Sequence, residues 1–344
     1  MRIKTQSATR KIKTEDLKEL QIPQKDYCKL QNTFLWRYMS LPKFLDLILN
    51  GRLYFADLVT LTKEDPYEGS LPPYSDYPVY IKKIIDSIHN TQNQNLEIQK
   101  ILPDYENIEN IANDFKKAKQ STFVNCWHIN KDENFAMWKI YACSDASIAI
   151  VTDIKMLKDS IKTDKNIKGA IVKYENKNLW SSKSIENIEQ FENYKKIQES
   201  VKKAALYKRK HFEYEKEFRL IYQYNNLYDE DKNYITVDIN KLIKYIYISP
   251  MAENYIKNTI IQTLKKLQRS KKYNLNIDKI IKDSNINGNE LNDVLGAWAR
   301  YALEKFPKNK ELSEEDKSMA KAMLLLWMLA STNSLDILTN ETPS

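Results

Sequence analysis

Two glutamates, Glu215 and Glu217, stand one residue apart at the start of segment 214–222, which otherwise alternates like a β-strand. Side chains of an extended chain repeat with a period of two, so we expect both carboxylates on one face. Like charges on one face repel each other, and a purely structural strand gains nothing from them. A site that holds a cation, a ribose hydroxyl or a nucleophile does gain from them. The pair is therefore the first candidate for chemistry, and the alternative is a solvated sheet edge.

Arg37 is the second candidate, because it lies between Trp36 and Tyr38 in a short aromatic segment that is typical of a strand. The rigid fork of donors on an arginine can bind a phosphate or a ribose. The alternative is a surface arginine flanked by aromatic residues of the core.

Two further carboxylates, Asp65 and Glu68, lie in a predicted turn in which Pro66 could fix the backbone and direct them inward, and the alternative is a simple turn without a functional role. With the glutamate pair they could hold the Mg²⁺ of a metal-assisted nuclease, provided that all of them converge on one ion. A zinc site is not expected, because the 3 cysteines and 3 histidines are scattered and form no C-x-x-C pair. Our leading site prediction contains no metal ligand.

The formal net charge of +8 favours anionic partners such as nucleic acid or a phosphate-bearing cofactor. The basic run Lys208, Arg209 and Lys210 adjoins the glutamate pair and is the candidate nucleic-acid-binding site, and the alternative is a solvated helix face. The sequence has neither G-x-G-x-x-G nor G-x-x-x-x-G-K-[ST]. Rossmann and P-loop nucleotide binding are therefore not expected.

Short strands with helices inserted between them must position these residues. Helical patterns occur at 134–142, 184–208 and 252–267, and a further helix is predicted between its N-cap Ser40 and Gly51, which lies just past its end. Apolar and aromatic runs predict strands at 33–39, 52–56, 121–127, 147–152, 169–174, 214–222, 234–238, 245–249 and 274–278. The combination predicts an α+β fold with a central mixed or antiparallel sheet.

We expect a polar lead-in over residues 1–31, an α+β catalytic-like domain over 32–286 with a helical insertion over 79–119, and a helical appendage over 287–344. The apolar faces of the appendage need a protein partner, either the main domain or another chain. No apolar run approaches the roughly 20 residues that span a bilayer, and the first residues lack the apolar core of a signal peptide. We therefore expect a cytoplasmic protein without a membrane partner.

Several short blocks follow one another in a distinctive order. They read W-R-Y at 36–38, L-D-L-I-L-N-G-R-L at 45–53, D-P-Y-E at 65–68, M-W-x-x-Y-A at 137–142 and E-x-E-F-R at 215–219. This order resembles an uncharacterised family of bacterial domains of unknown function, which usually reads D-P-F-E where this chain has D-P-Y-E. The resemblance covers most of the chain, roughly from Phe34 to Asn285.

The W-R-Y block and the segment 40–53 also resemble, more remotely, the opening of the DNA-modifying ADP-ribosyltransferase toxins (DarT-like). This resemblance implies an NAD-dependent enzyme of a bacterial antiviral defence or toxin system. Its acceptor would be nucleic acid or a nucleic-acid-handling protein.

The same resemblance implies catalytic roles for Arg37, Glu217 and Glu215. Arg37 would bind the NAD phosphate or the nicotinamide ribose. Glu217 would hydrogen-bond the ribose 2′-hydroxyl and stabilise the developing oxocarbenium ion, since such a centre needs a fixed anion nearby. Glu215 would orient or deprotonate the acceptor.

Aromatic side chains complete the implied cofactor-binding set. Tyr54, or one of the pair Trp138 and Tyr141, would stack on the nicotinamide, and Tyr38 lies beside Arg37. The alternative for aromatic residues at helical spacing is the core.

A non-catalytic nucleic-acid-binding or sensor protein is the main alternative from another class. Its carboxylates would be structural, and binding would weaken with salt and be indifferent to NAD. The metal-assisted nuclease described above is the third hypothesis for the function.

Overall fold

The computed structural model describes residues 17–70, 105–142, 146–175, 194–269 and 273–286. Everything below concerns these ranges.

The backbone forms two compact units, residues 1–282 and 283–344. The predicted appendage at 287–344 lies outside the described residues, as do residues 1–16 of the predicted lead-in. The predicted insertion is described only from Tyr105 onward, where the chain is helical.

A mixed sheet of eight strands is present in the described part of the first unit. The strands of the fold are β1 (Phe34–Ser40), β2 (Arg52–Tyr54), β3 (Ala56–Asp57), β4 (Thr122–Asn130), β5 (Ser147–Thr152), β6 (Lys168–Ile171), β7 (Lys173–Glu175), β8 (Tyr207–Arg209), β9 (Glu217–Gln223), β10 (Tyr234–Thr236), β11 (Tyr245–Ile248) and β12 (Ile281–Lys282). The sheet order is β12-β11-β5-β1-β4-β9-β6, and β3 also pairs with β4. Its pairs are antiparallel except for β11 with β12. The α+β fold with a central mixed sheet and inserted helices is confirmed.

Helices cover both faces of this sheet. They are α1 (Gln24–Leu30), α2 (Leu41–Asn50), α3 (Leu58–Leu61), α4 (Tyr105–Gln120), α5 (Phe135–Tyr141), α6 (Ile154–Ser160), α7 (Tyr194–Ala204), α8 (Ile239–Leu242), α9 (Asn254–Arg269) and α10 (Ile277–Ile280). The larger apolar core includes Phe44 of α2 and Ile150 of β5. A smaller one joins Phe115 of α4 and Ile197 of α7 to Ile221 of β9.

Local signals explain why α2 begins and ends where it does. Ser40 is the extended N-cap and a proline lies in the first turn, where its missing N–H costs nothing. Gly51 ends the helix in the left-handed conformation (φ 63°), and its N–H donates to the Leu47 carbonyl at 2.9 Å. This turn leads directly into β2 and places Tyr54 beside β1.

The end of the predicted lead-in is packed rather than free. Leu20 and Leu30 are buried, and the Lys18 and Gln21 N–H groups donate to backbone carbonyls between α6 and β6. Among the described residues, no helix combines the length and the apolar character that crossing a membrane requires.

Several predicted elements differ from the structure in type or extent; the strands predicted at 52–56 and 169–174, for example, are each divided into two strands. The helix predicted over 184–208 ends at Ala204, because Tyr207–Arg209 pairs in parallel with β7. Of the strand predicted over 274–278, residues 274–276 are irregular and the rest begins α10, whose N-cap Asn276 accepts the Lys279 N–H. A side-chain cap is a local signal that favours a helix over a strand.

One break in the sheet matters for the site. β1 pairs with β4 only over Phe34–Trp36, and β3 pairs with β4 over Phe123–Val124. Between these two ladders, the side of β4 that faces away from β9 has no strand beside it around Cys126 in the described structure. A gap therefore opens in the sheet, and Arg37 lies at its border.

Candidate active site

A cavity of about 420 Å³ opens at this gap, within the size range of small-molecule sites. It lies on the sheet between β1, β4 and β9. Residues of the predicted site that line it are Arg37, Tyr38, Tyr54, Tyr141, Lys208, Glu215 and Glu217. Side chains that are distant in sequence thus meet in one place.

Glu215 and Glu217 do not share a strand, which corrects the period-two prediction. Glu215 ends a 3-10 helix, residues Lys210–Glu215, and β9 begins at Glu217. Between them Lys216 adopts the left-handed conformation (φ 42°, ψ 60°), which is unusual for a residue with a Cβ. The two carboxylates nevertheless meet, because both bind the ammonium of Lys208.

A buried network, here named the carboxylate cluster, consists of Glu68, Lys208, Glu215, Glu217 and Arg219. Lys208 Nζ bonds the Glu215 carboxylate and lies 3.0 Å from Glu217 Oε1. Arg219 Nε lies 2.5 Å from Glu217 Oε2. Its Nη1 and Nη2 bind both oxygens of Glu68, at 2.5 and 3.1 Å. Such a fork fixes both position and orientation.

The pKa values of the two glutamates are shifted in opposite directions. Burial, together with the hydrogen bond and the charge of Glu217, raises the pKa of Glu215 to about 8. Burial alone would also raise the pKa of Glu217, but Arg219 and Lys208 outweigh it and hold that pKa well below the ordinary value. Near neutral pH, Glu217 is therefore the fixed anion and Glu215 is its protonated partner.

The turn at 65–68 directs both carboxylates inward, and both are buried. Asp65 accepts the Tyr67 N–H at 3.0 Å and pairs with Arg209 Nη2 at 2.8 Å. The Glu68 carboxylate reaches Arg219, 151 positions away in the sequence.

The four carboxylates of the nuclease hypothesis bind cationic side chains. Lys208 lies between Glu215 and Glu217, where a shared metal ion would need to be. Asp65 pairs with Arg209, and Arg219 takes both oxygens of Glu68. Within the described ranges, no group of three or more His, Cys, Asp or Glu side chains is arranged to hold a metal ion.

Arg37 occupies the gap between β1 and β4. Its Nη1 donates to the Cys126 carbonyl at 2.7 Å, and its Nη2 lies 3.4 Å from the Tyr54 carbonyl. A guanidinium carries five donors, and no described carboxylate forms an ion pair with this one. Burial lowers the pKa of Arg37, as expected for a cation without a counter-charge. An anion in the cavity would supply that charge.

The aromatic candidates differ in access to the cavity. Tyr54 is 39% exposed, whereas Tyr38 is buried and accepts the Asn134 N–H at 3.0 Å. Tyr141 lines the cavity, and burial together with the nearby charges of Glu215 and Glu217 raises its pKa. Trp138 is fully buried, packs edge-on against Tyr38 and does not line the cavity. Its predicted role in stacking a cofactor has no support in this arrangement, which is that of a core residue.

The basic run is divided between two environments, which corrects the helix-face interpretation. Lys208 is buried in the carboxylate cluster, so its ammonium is not available to a nucleic-acid backbone. Arg209 pairs with Asp65 and lies over the ring of Tyr67, 4.8 Å from its centroid. Lys210 alone of the three is exposed.

Sequence reasoning missed three residues of the site: Lys208 as a cluster member, Arg219 and His128. His128 lies opposite Glu217 in the β4–β9 ladder and lines the cavity. Arg219 could have been found by alternation, since it shares a strand face with Glu217. His128 gave no local signal, because its partners are remote in sequence.

Comparison with known proteins agrees with the coarser of the two resemblances. Residues 137–220 match the model of a family described as a protein of unknown function (DUF2971). The matched span contains the M-W-x-x-Y-A and E-x-E-F-R blocks, whereas Arg37, Glu68 and His128 lie outside it. No curated protein and no solved structure matches the chain.

Proposed function

We propose that this protein is an NAD-dependent ADP-ribosyltransferase-like enzyme of a bacterial defence or toxin system. The observation that carries the proposal is that Arg37 and Glu217 line one cavity, the first without a described carboxylate partner and the second held ionised. These are the two charges that an anionic donor substrate with a cationic transition state requires. The remote DarT-like resemblance of the W-R-Y block supports the choice of NAD.

Glu217 would supply the fixed anion. Its carboxylate is oriented by Arg219 Nε and Lys208 Nζ, so it need not reorganise as positive charge develops on the ribose. A hydrogen bond from the ribose 2′-hydroxyl would orient the sugar.

Glu215 would orient the acceptor rather than deprotonate it. With a pKa of about 8 it is largely protonated at neutral pH, so it donates a hydrogen bond instead of accepting a proton. Of the two roles that the resemblance implied for Glu215, orienting the acceptor therefore fits better than deprotonating it.

Arg37 would bind the phosphates of NAD. A second cavity of about 340 Å³ shares Arg37, Lys43 and Tyr54 with the first, and Lys43 adds an exposed ammonium. A dinucleotide needs two connected subsites with positive charge between them, and this arrangement fits that need. Tyr54 and Tyr141 are two of the aromatic side chains that line the larger cavity.

Nucleic acid, or a protein that handles it, is the proposed acceptor. The net charge of +8 supports this choice, since electrostatic attraction favours polyanions. The exposed Lys210 lies close to the site in sequence and would contribute to this attraction.

Incubation with NAD labelled on the ADP-ribose moiety, in the presence of mixed DNA, RNA and protein, tests the proposal. We expect label on one acceptor class, and about 10²–10³-fold less transfer with Glu217→Gln, the loss typical of one electrostatic stabiliser. No NAD cleavage by the wild type, or equal activity in the variant, would refute it. The Lys210→Gln variant is a control that should retain NAD cleavage while binding nucleic acid less tightly.

A further inference from the structure

His128 is a titratable side chain of the cavity that the roles above do not use. It lies on β4, opposite Trp36 of β1 and Glu217 of β9. Only 5% of it is exposed, yet it lines the cavity. It is therefore a strand neighbour of Glu217, the anion of the site.

The tautomer of His128 is set by the backbone. Its Nδ1 lies 2.5 Å from the Glu215 carbonyl oxygen. A carbonyl oxygen only accepts, so Nδ1 carries the hydrogen and donates it. In the neutral ring Nε2 then carries a lone pair. Nε2 is buried and has no hydrogen-bond partner among the described residues.

The surroundings keep the ring neutral. Burial, followed by the nearby charge of Lys216, lowers the pKa of His128 against the opposing effects of the Glu215 carbonyl and the Glu217 carboxylate. The remaining titratable neighbour on β1 is Tyr38, whose ring centroid lies 6.4 Å away. A neutral imidazole whose Nε2 lone pair has no partner is the form in which histidine accepts a proton.

We propose that His128 Nε2 is the proton acceptor for the group that attacks NAD in this cavity, an assignment that rests on the proposed function. The acceptor's O–H or N–H gives its proton to Nε2 while its oxygen or nitrogen bonds to the anomeric carbon. The bond from that carbon to the nicotinamide nitrogen breaks, and its electron pair leaves with nicotinamide. The imidazolium then releases the proton to water.

In this assignment Glu215 and Glu217 have different roles beside His128. Glu215 is protonated in its side chain and accepts from His128 through its backbone carbonyl. One residue thus orients the acceptor with its carboxyl and fixes the tautomer of the base with its main chain. Glu217 stays ionised and does not compete for the proton.

Nitrogen-15 NMR of histidine-labelled protein tests the tautomer without any turnover. The chain has 3 histidines, and loss of one signal in His128→Asn assigns the residue. We expect His128 to be neutral and protonated at Nδ1 at pH 7, and its Nε2 resonance to move when ADP-ribose is added. A ring protonated at Nε2, or one that ignores ADP-ribose, would overturn the proposal.

Kinetics test the catalytic part. Gln at position 128 places a carbonyl oxygen near the position of Nε2 but takes no proton, and Asn keeps a donor for the Glu215 carbonyl. Both variants should lower kcat by about 10²-fold, the usual contribution of a general base, with KM for NAD changed less than about threefold. His211→Asn, which alters an exposed histidine, is the control and should match the wild type.

Failure of this assignment is distinguishable from failure of the proposed function. A wild-type protein that leaves NAD intact refutes the function and the base with it. A wild-type protein that cleaves NAD, with full kcat in His128→Gln, refutes the base alone. Thermal unfolding of each variant checks that a lost activity is not a lost fold.

Discussion

The two walls of the cavity each carry an arginine, and the two arginines differ in what balances their charge. On the β9 wall, Arg219 is fully buried and pairs with Glu68 and Glu217. On the β1 wall, Arg37 donates to the carbonyls of Cys126 and Tyr54, and no described carboxylate pairs with it. The charge of Arg219 on the β9 wall is therefore balanced by carboxylates. The charge of Arg37 on the β1 wall is not, and it could bind an anionic ligand.

The difference between the two arginines indicates different roles: Arg219 orients other groups of the site, whereas Arg37 is placed to bind a ligand. A buried ion pair orients groups but adds little net stability, because desolvation offsets its attraction. What the pairs on β9 provide is a Glu217 carboxylate in one orientation and one ionisation state. Arg37 has carbonyl acceptors but no carboxylate partner among the described residues, so a bound anion would balance its charge.

Removing Arg219 should have the largest effect. In Arg219→Met the carboxylate of Glu68 stays buried without a partner, and we expect the free energy of unfolding to fall by about 3–5 kcal/mol, as when one partner of a buried pair is lost. Urea unfolding measures it. The double variant Arg219→Met/Glu68→Gln should recover part of the loss, and a loss below about 1 kcal/mol would show that the cluster is not structural.

Replacing Arg37 should act on binding instead. Gln can still donate to the Cys126 carbonyl, so we expect the free energy of unfolding of Arg37→Gln to change by less than about 1 kcal/mol. The affinity for ADP-ribose should fall by about 10–100-fold, the value of a lost hydrogen bond to a charged group. Calorimetric titration measures it, with Arg37→Lys as a charge-retaining control. Unchanged affinity would mean that Arg37 only fills the gap in the sheet.

The pH dependence of stability tests the protonated member of the cluster. The pKa of Glu215 is raised from 4.5 to about 8, so the folded state holds a proton that the unfolded state releases, and this stability is lost as pH rises through that window. Glu215→Gln should thus gain up to about 5 kcal/mol over the wild type as pH rises from about 4.5 to about 8, at about 1.4 kcal/mol per pH unit. Parallel curves would contradict the assignment.

The smallest effect concerns Lys216, whose left-handed backbone joins the two glutamates. A left-handed residue with a Cβ costs about 1–2 kcal/mol, and glycine removes that cost while adding freedom to the unfolded chain. We expect Lys216→Gly to raise the free energy of unfolding by about 0.5 kcal/mol. Lys216→Ala, which keeps the strain, should not be stabilised, and equal stabilities would contradict this account.

Local patterns predicted the elements, while contacts between remote residues built the site. The Ser40 and Gly51 signals of α2 and the inward turn at Asp65 could be inferred because they depend on neighbouring residues. The conformation of Glu215 could not be inferred, because it depends on the left-handed backbone of Lys216. Such a conformation is usually predicted from a glycine, and none is present here. The tautomer of His128 depends on a carbonyl 87 positions away. The period-two pattern of a strand wrongly placed Glu215 on β9. The same pattern would have placed Arg219 on the strand face of Glu217.

A crystal structure of the Glu217→Gln variant soaked with NAD tests the central claim most directly, because slow turnover preserves the substrate. We predict a phosphate oxygen within hydrogen-bond distance, about 2.7–3.2 Å, of the Arg37 guanidinium. The ribose should face position 217, with His128 Nε2 open toward its anomeric carbon. A cavity without NAD at saturating concentration, or NAD bound elsewhere while Arg37 contacts only the Cys126 and Tyr54 carbonyls, would contradict the account.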